Sequence, residues 1–174
     1  MVLKNILKFY LKQNKIKGFT LLELLVAIVI IGILAAIALP NFMTAIAKAK
    51  QSEPKTTIGS VNRAQQGYRS EKSEFARNMG DLGVGLPTKT KNYFYEIKGG
   101  INEATITAQS SDTALRGYSG GVVQHTNGNG ESAIASVMCE AVSPGVEKPA
   151  PPVLDPNATS PEEAAKCGEG QKQL

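Results

Sequence analysis

The hydrophobic pattern of the chain divides it into three stretches. From Leu24 to Ala47 no charged residue occurs, and Leu, Ile, Val and Ala fill most positions. This run is longer than the roughly 20 residues that cross a hydrocarbon core as a helix. It is also longer than the roughly 7–15 apolar residues of an ordinary secretory signal, and no polar cleavage region follows it, so it reads as a retained span. After Pro54, Ile58, Val61, Ala64, Tyr68 and Phe75 keep roughly helical spacing. They predict an amphipathic helix that ends near Phe75–Arg77 and lays its stripe on a sheet. Asn78 to Asn92 is rich in Gly, Pro, Lys and Thr and reads as a connecting loop. Four short strands follow, Tyr93–Lys98, Ala104–Gln109, Gly120–Gln124 and Ala133–Cys139, broken by "GGIN", "SSDTALRG" and "TNGNGE". Short strands with Gly/Asn turns predict an antiparallel sheet. A helix on one face of it makes an α+β layer arrangement. The last stretch, from Ser143, is Pro-rich and predicts no core element.

Charge changes the picture mainly at the start. The chain carries 19 basic and 15 acidic residues, a formal charge of +4. Lys4, Lys8, Lys12, Lys15 and Lys17 precede the span with no acid among them. Without those five, 14 basic residues face 15 acidic ones, so the basic character belongs to the leader and does not support DNA binding. Lysines before the span and mixed charge after it place the N-terminus in the cytoplasm and the C-terminal part outside. Lys4, Lys8 and Lys12 beside Leu3, Leu7 and Leu11 form two helical stripes suited to an anionic membrane surface; a plain basic leader gives a similar pattern. Lys55–Lys98 holds eight basic and four acidic residues, and Glu131–Leu174 three and seven. This is either an ordinary solvated surface or a pair of complementary faces on neighbouring copies.

Candidate chemistry is sparse. Cys139 and Cys167 lie in no metal-binding spacing, and with an external location they read as a disulfide. Closing residues 139–167 is worth about 3–4 kcal/mol by loop entropy; two free thiols are the alternative. His125 in "QHTNGNG" reads as a surface residue in a turn, and Glu162 and Glu163 as tail carboxylates. Asn157-Ala158-Thr159 fits a glycosylation pattern that also arises by chance. No nucleophile elbow, phosphate loop or metal motif is present, so the chain reads as non-enzymatic, with no cofactor and no metal.

Gly18-Phe19-Thr20-Leu21-Leu22-Glu23, ahead of the apolar run, resembles the class III signal of type IV prepilins. The strong match covers about residues 15–53, and "TTIGSVNRAQQGYRSEKSEFA" (Thr56 to Ala76) resembles cyanobacterial major pilins more weakly. The resemblance implies cleavage between Gly18 and Phe19 by a prepilin peptidase, with N-methylation of Phe19. Glu23 matches the family's glutamate at the fifth mature position, and Pro40 its helix-breaking proline.

Two readings of Glu23 follow. Thr20-x-x-Glu23 fits a capping box, and a carboxylate suits a helix N-terminus. Alternatively, in an assembled filament, Glu23 pairs with the Phe19 amine of a neighbouring copy, as the resemblance implies. Small residues at Gly32/Ala36 and Ala45/Ala49 allow close helix approach; lipid-facing texture is the alternative. Pro40 removes the hydrogen bond to the Ala36 carbonyl and Gly32 lowers helix propensity, so Gly32–Pro40 is the weak point of the helix. Ser52-Glu53-Pro54-Lys55 predicts a kink or break.

The expected organisation is a cleaved leader (1–18), a transmembrane and filament-core helix (19–53), the amphipathic helix of a head (54–77), a loop and sheet (78–139) and a disulfide-tethered tail (140–174). The expected function is a structural subunit precursor of a type IV pilus. It sits in the inner membrane and then joins other copies in a surface filament for motility, adhesion or DNA uptake. Prepilin peptidase and, indirectly, the membrane platform and assembly and retraction ATPases are its partners. The alternatives are a minor pilin, a type II secretion pseudopilin, or a monomeric membrane-anchored binding domain.

Overall fold

The computed structural model describes residues 18–174; the lysine leader lies outside them. It holds two units, one ending at Thr44 and a head from Ala45 to Leu174. Helix α1 spans Leu21–Lys50 and helix α2 spans Ser52–Lys72. Only Gln51 separates them, at φ −73° and ψ −10°, and its N–H still bonds the Ala47 carbonyl at 3.0 Å. The interruption expected near Ser52–Lys55 is therefore one residue long and sits just ahead of that stretch. Pro54 falls in the first turn of α2, where its missing N–H has no intrahelical partner to lose.

The head is an α+β arrangement. Strands β1 (Tyr93–Gly99), β2 (Glu103–Ser110), β3 (Arg116–Thr126) and β4 (Ser132–Pro144) form an antiparallel meander, and β7 (Gln171–Gln173) adds to β4. The sheet thus has five strands, not the four expected. The fifth comes from the tail: Gln173 pairs with Cys139 and Gln171 with Ala141. Two-residue strands β5 (Val153–Leu154) and β6 (Ala165–Lys166) pair with each other, and helix α3 (Pro161–Ala164) leads into β6.

Helix α2 buries Pro54, Ile58, Val61, Asn62 and Gln65. Two polar residues thus lie on the covered stripe, while Ala64 and Tyr68 are only half-buried. Both polar residues are matched: Asn62 donates to the Val137 carbonyl at 3.1 Å, and Gln65 takes both the N–H and the carbonyl of Ala76 at 2.8 and 2.9 Å. The helix stops at Lys72, short of the expected Phe75–Arg77. Ser73 turns left-handed (φ 59°) and closes the end by donating to the Arg69 carbonyl. Phe75 then packs with Ala104 and Val122.

The tail is the larger correction. Residues 149–168 cover the second face of β3 and β4, where Ala158, Ala164 and Ala165 are buried against Val123, Ala135, Val137 and Cys139. β3 is therefore the middle layer between α2 and the tail. His125 lies on the tail side of that strand, buried, with Nδ1 3.2 Å from the Ala158 carbonyl. It is not the surface turn residue expected from its glycine-rich surroundings.

Candidate assembly helix

The residues read as a processing signal, Gly18 and Phe19, precede the first turn of α1. Gly18 is exposed, and Phe19 is 78% exposed. Thr20 caps the helix: its Oγ1 accepts the Glu23 N–H at 3.2 Å and its carbonyl accepts the Leu24 N–H at 3.2 Å. This satisfies one of the donors that every helix start leaves unpaired. The return half of a capping box is not formed; among the described residues the exposed Glu23 carboxylate takes part in no hydrogen bond or ion pair. The geometry leaves the carboxylate at the positive end of the helix, available to a cation from elsewhere.

Beyond this turn α1 buries no residue; Leu21 is 83% exposed and Ile37 68%. Among the described residues it is the one helical stretch long and apolar enough to cross a membrane. A single exposed apolar side chain needs no explanation, but a whole helix of them marks a surface that something else covers. The helix runs unbroken through Gly32 and Pro40. Pro40 donates no hydrogen bond to Ala36; Thr44 Oγ1 donates to the Pro40 carbonyl at 3.1 Å, one turn further on, and does not replace it. A Cβ at Gly32 would meet nothing within 4 Å, so the chain's own packing does not require a glycine there.

Inside the head, the junction at Gln51 is held by polar contacts. Gln51 Nε2 donates to the Ala47 carbonyl at 3.1 Å, and its Oε1 lies 2.8 Å from the Tyr118 hydroxyl. Two residues on, the Glu53 carboxylate accepts from Thr90 Oγ1, from Asn92 Nδ2 at 3.1 Å and from the Tyr95 hydroxyl at 3.1 Å. Burial pushes the Glu53 pKa up, but the hydrogen bonds from Thr90, Asn92 and Tyr95 outweigh it and hold the group below its ordinary value of 4.5. The loop before β1 is thereby fastened to the first turn of α2.

Tyr118 lies between two acceptors, Gln51 and, at 3.2 Å, Glu140 Oε1. Burial raises its pKa and the negative Glu140 raises it further, so the hydroxyl keeps the proton it donates. Glu140, itself buried, also faces Arg116 Nε at 3.7 Å and Lys172 Nζ at 3.4 Å. Lys172 is on the fifth strand, so this carboxylate links three strands of the sheet. Cys139, its neighbour, forms a disulfide with Cys167.

Reading the sequence as turns and strands missed one signal, the pair Gly120-Gly121 in the middle of β3. A Cβ at Gly120 would lie 2.3 Å from Ile58 Cγ2, and one at Gly121 would lie 2.8 Å from Pro152 Cγ. Adjacent glycines inside a strand indicate close approach by other elements, here one on each face. Among the described residues no three His, Cys, Asp or Glu side chains gather as a metal set.

A family model for type IV pilin-like G and H proteins matches residues 51–168, more than half the chain. The chain belongs to the type IV pilin family. A second model, the prokaryotic N-terminal methylation motif, matches residues 13–39, over the leader and the first turns of α1. Among family relatives, the type IV major pilin protein PilA of Myxococcus xanthus is 38% identical over 90 residues, 52% of this chain and 40% of that protein. The fimbrial protein of Neisseria meningitidis is 34% identical over 104 residues, 58% of this chain and 61% of that protein. The type IV wide pilus major component PilA4 of Thermus thermophilus is 31% identical over 108 residues, 62% of this chain and 77% of that pilin. The chain therefore spans 40% to 61% of the length of the first two relatives.

Proposed function

We propose that this chain is the precursor of a structural subunit of a type IV pilus. A membrane-anchored form is cut between Gly18 and Phe19, methylated at Phe19 and added to a filament through α1. The observation that carries this reading is a capped helix with no buried residue, headed by an N-terminal methylation motif and joined to a pilin head. Removal of the leader creates an amine on Phe19 close to Glu23. The Glu23 carboxylate then pairs with that amine on a neighbouring copy as helices stack with a stagger. In an apolar filament core such a pair disfavours every register that leaves either charge unmatched, even where its net energy is small.

The same assembly covers the apolar length of α1, and the segment Gly32–Pro40 melts when the filament forms. The head carries no chemistry of its own in this reading. Cleavage, extraction from the inner membrane and the energy of assembly come from the prepilin peptidase, the membrane platform and its ATPases. The N-terminus faces the cytoplasm in the precursor, and the head ends on the cell-surface filament.

Mass spectrometry of the mature protein tests this first. Methylated Phe19 as the first residue is expected, and an intact Met1 on a folded, membrane-inserted chain overturns the proposal. Glu23→Ala tests the register: it is expected to accumulate as processed subunit with few or no filaments. Filaments formed at the wild-type rate and register would remove Glu23 from this role.

A further inference from the structure

We infer that Asn129, at the tip of the β3–β4 hairpin, is a site of spontaneous deamidation, and that Asn127 two residues before it is protected. Both asparagines precede a glycine, in "TNGNGE", so the sequence alone makes them equivalent. The fold separates them. The Asn127 carboxamide is locked: Oδ1 accepts the N–H groups of Asn129 at 3.0 Å and Glu131 at 2.9 Å, and Nδ2 donates to Glu131 Oε2 at 3.1 Å. Asn129 is exposed, and among the described residues its carboxamide makes no hydrogen bond. Its one restraint is on the attacking group, since the Gly130 N–H donates to the Asn127 carbonyl at 2.9 Å.

The reaction needs only water. The Gly130 backbone nitrogen gives up its proton and attacks Cγ of Asn129, forming a new C–N bond, and Nδ2 leaves as ammonia. Water then opens the five-membered imide at either carbonyl, giving aspartate or isoaspartate. One amide and one water become one carboxylate and one ammonia, with no change of oxidation state. At Asn129 one hydrogen bond opposes attack; at Asn127 three hold the side chain. The product puts a second carboxylate beside Glu131, where like charges repel. Isoaspartate also lengthens the backbone and removes the Gly130–Asn127 bond that closes the turn.

The test is peptide mapping of the full-length chain in detergent, incubated at neutral and at mildly alkaline pH, with a synthetic peptide of residues 122–134 as the unfolded control. In the folded chain, conversion of Asn129 is expected to rise with pH and to exceed that of Asn127 by more than about tenfold, given three hydrogen bonds against one. In the peptide the two rates should be similar. Glu131→Ala releases Asn127 Nδ2 and should speed conversion at Asn127 while leaving Asn129 unchanged. Equal rates at the two sites of the folded chain, or no conversion at Asn129 while the peptide converts, would overturn the inference.

Discussion

Ile58 of α2 rests directly on the backbone of Gly120 in β3: a Cβ at residue 120 would lie 2.3 Å from Ile58 Cγ2. The helix and the sheet meet at that point with no side chain from the strand between them. Gly120→Ala therefore forces a buried Ile and its helix outward. Overpacking of this kind costs about 1–3 kcal/mol. Chemical denaturation of the two proteins measures it, and because Ile58→Ala removes the clashing Cγ2, the double variant Gly120→Ala with Ile58→Ala should lose less than the sum of the two single variants.

Glu53 sets an acid limit on the head. Its folded-state pKa is depressed, so it contributes stability above its ordinary value of 4.5 and loses that contribution as pH falls through the lower, folded value. Wild type is expected to melt above Glu53→Gln at neutral pH, with the gap closing as pH drops below 4.5 and through the lower, folded value. A gap that keeps its size well below 4.5 would show that the charge on Glu53 is not what holds the Thr90–Tyr95 region.

Tyr118→Phe removes the hydroxyl shared by Gln51 and Glu140 and nothing else. Gln51 Oε1 then loses its donor while Glu140 keeps Arg116 and Lys172, and an acceptor left unpaired at this junction costs about 1–3 kcal/mol. Amide hydrogen exchange should localise the effect to residues around Gln51 and to β4, while the N-terminal turns of α1 are unaffected.

Cys139→Ser and Cys167→Ser should each lower stability by about 3–4 kcal/mol, and the double variant should match either single one, because the bridge acts through the loop it closes. A thiol titration under denaturing, non-reducing conditions should find no free thiol in wild type, since Cys139 and Cys167 are bonded to each other.

Thr20→Ala deletes the Oγ1 that accepts the Glu23 N–H. Cap loss costs about 1 kcal/mol and should appear as fraying of the first turn of α1 in detergent by helical chemical shifts. Thr20→Ser should restore it.

The α+β class and the placement of the first four strands were legible because the turn-rich stretches "GGIN", "SSDTALRG" and "TNGNGE" separate them. The observed strands reach further than expected, most of all β3 and β4; in β3, Tyr118 and Ser119 precede the glycine pair that hid the continuity of the strand. Helix α2 was legible from Ile58 and Val61. Its end was not, because the left-handed turn at Ser73 uses a residue that carries no strong signal for that conformation. The tail was misread for a different reason. Its buried residues are alanines and the prolines Pro149 and Pro152, with no period to betray them, and the alanines pack on the second face of β3 and β4. The same cover buries His125, whose immediate neighbours in sequence look like a solvent loop. At the candidate assembly helix, the residues were visible in the motif, while the geometry of Thr20 and Glu23 was not.

Cys139 is the residue where the disulfide and the pairing with Gln173 coincide. Tension that enters the chain after Cys167 passes through sulfur straight into β4, and residues 140–166 stay slack. The segment that closes the second face of the sheet is thus held out of the line of force, and a pull on the chain beyond Cys167 cannot peel that segment away.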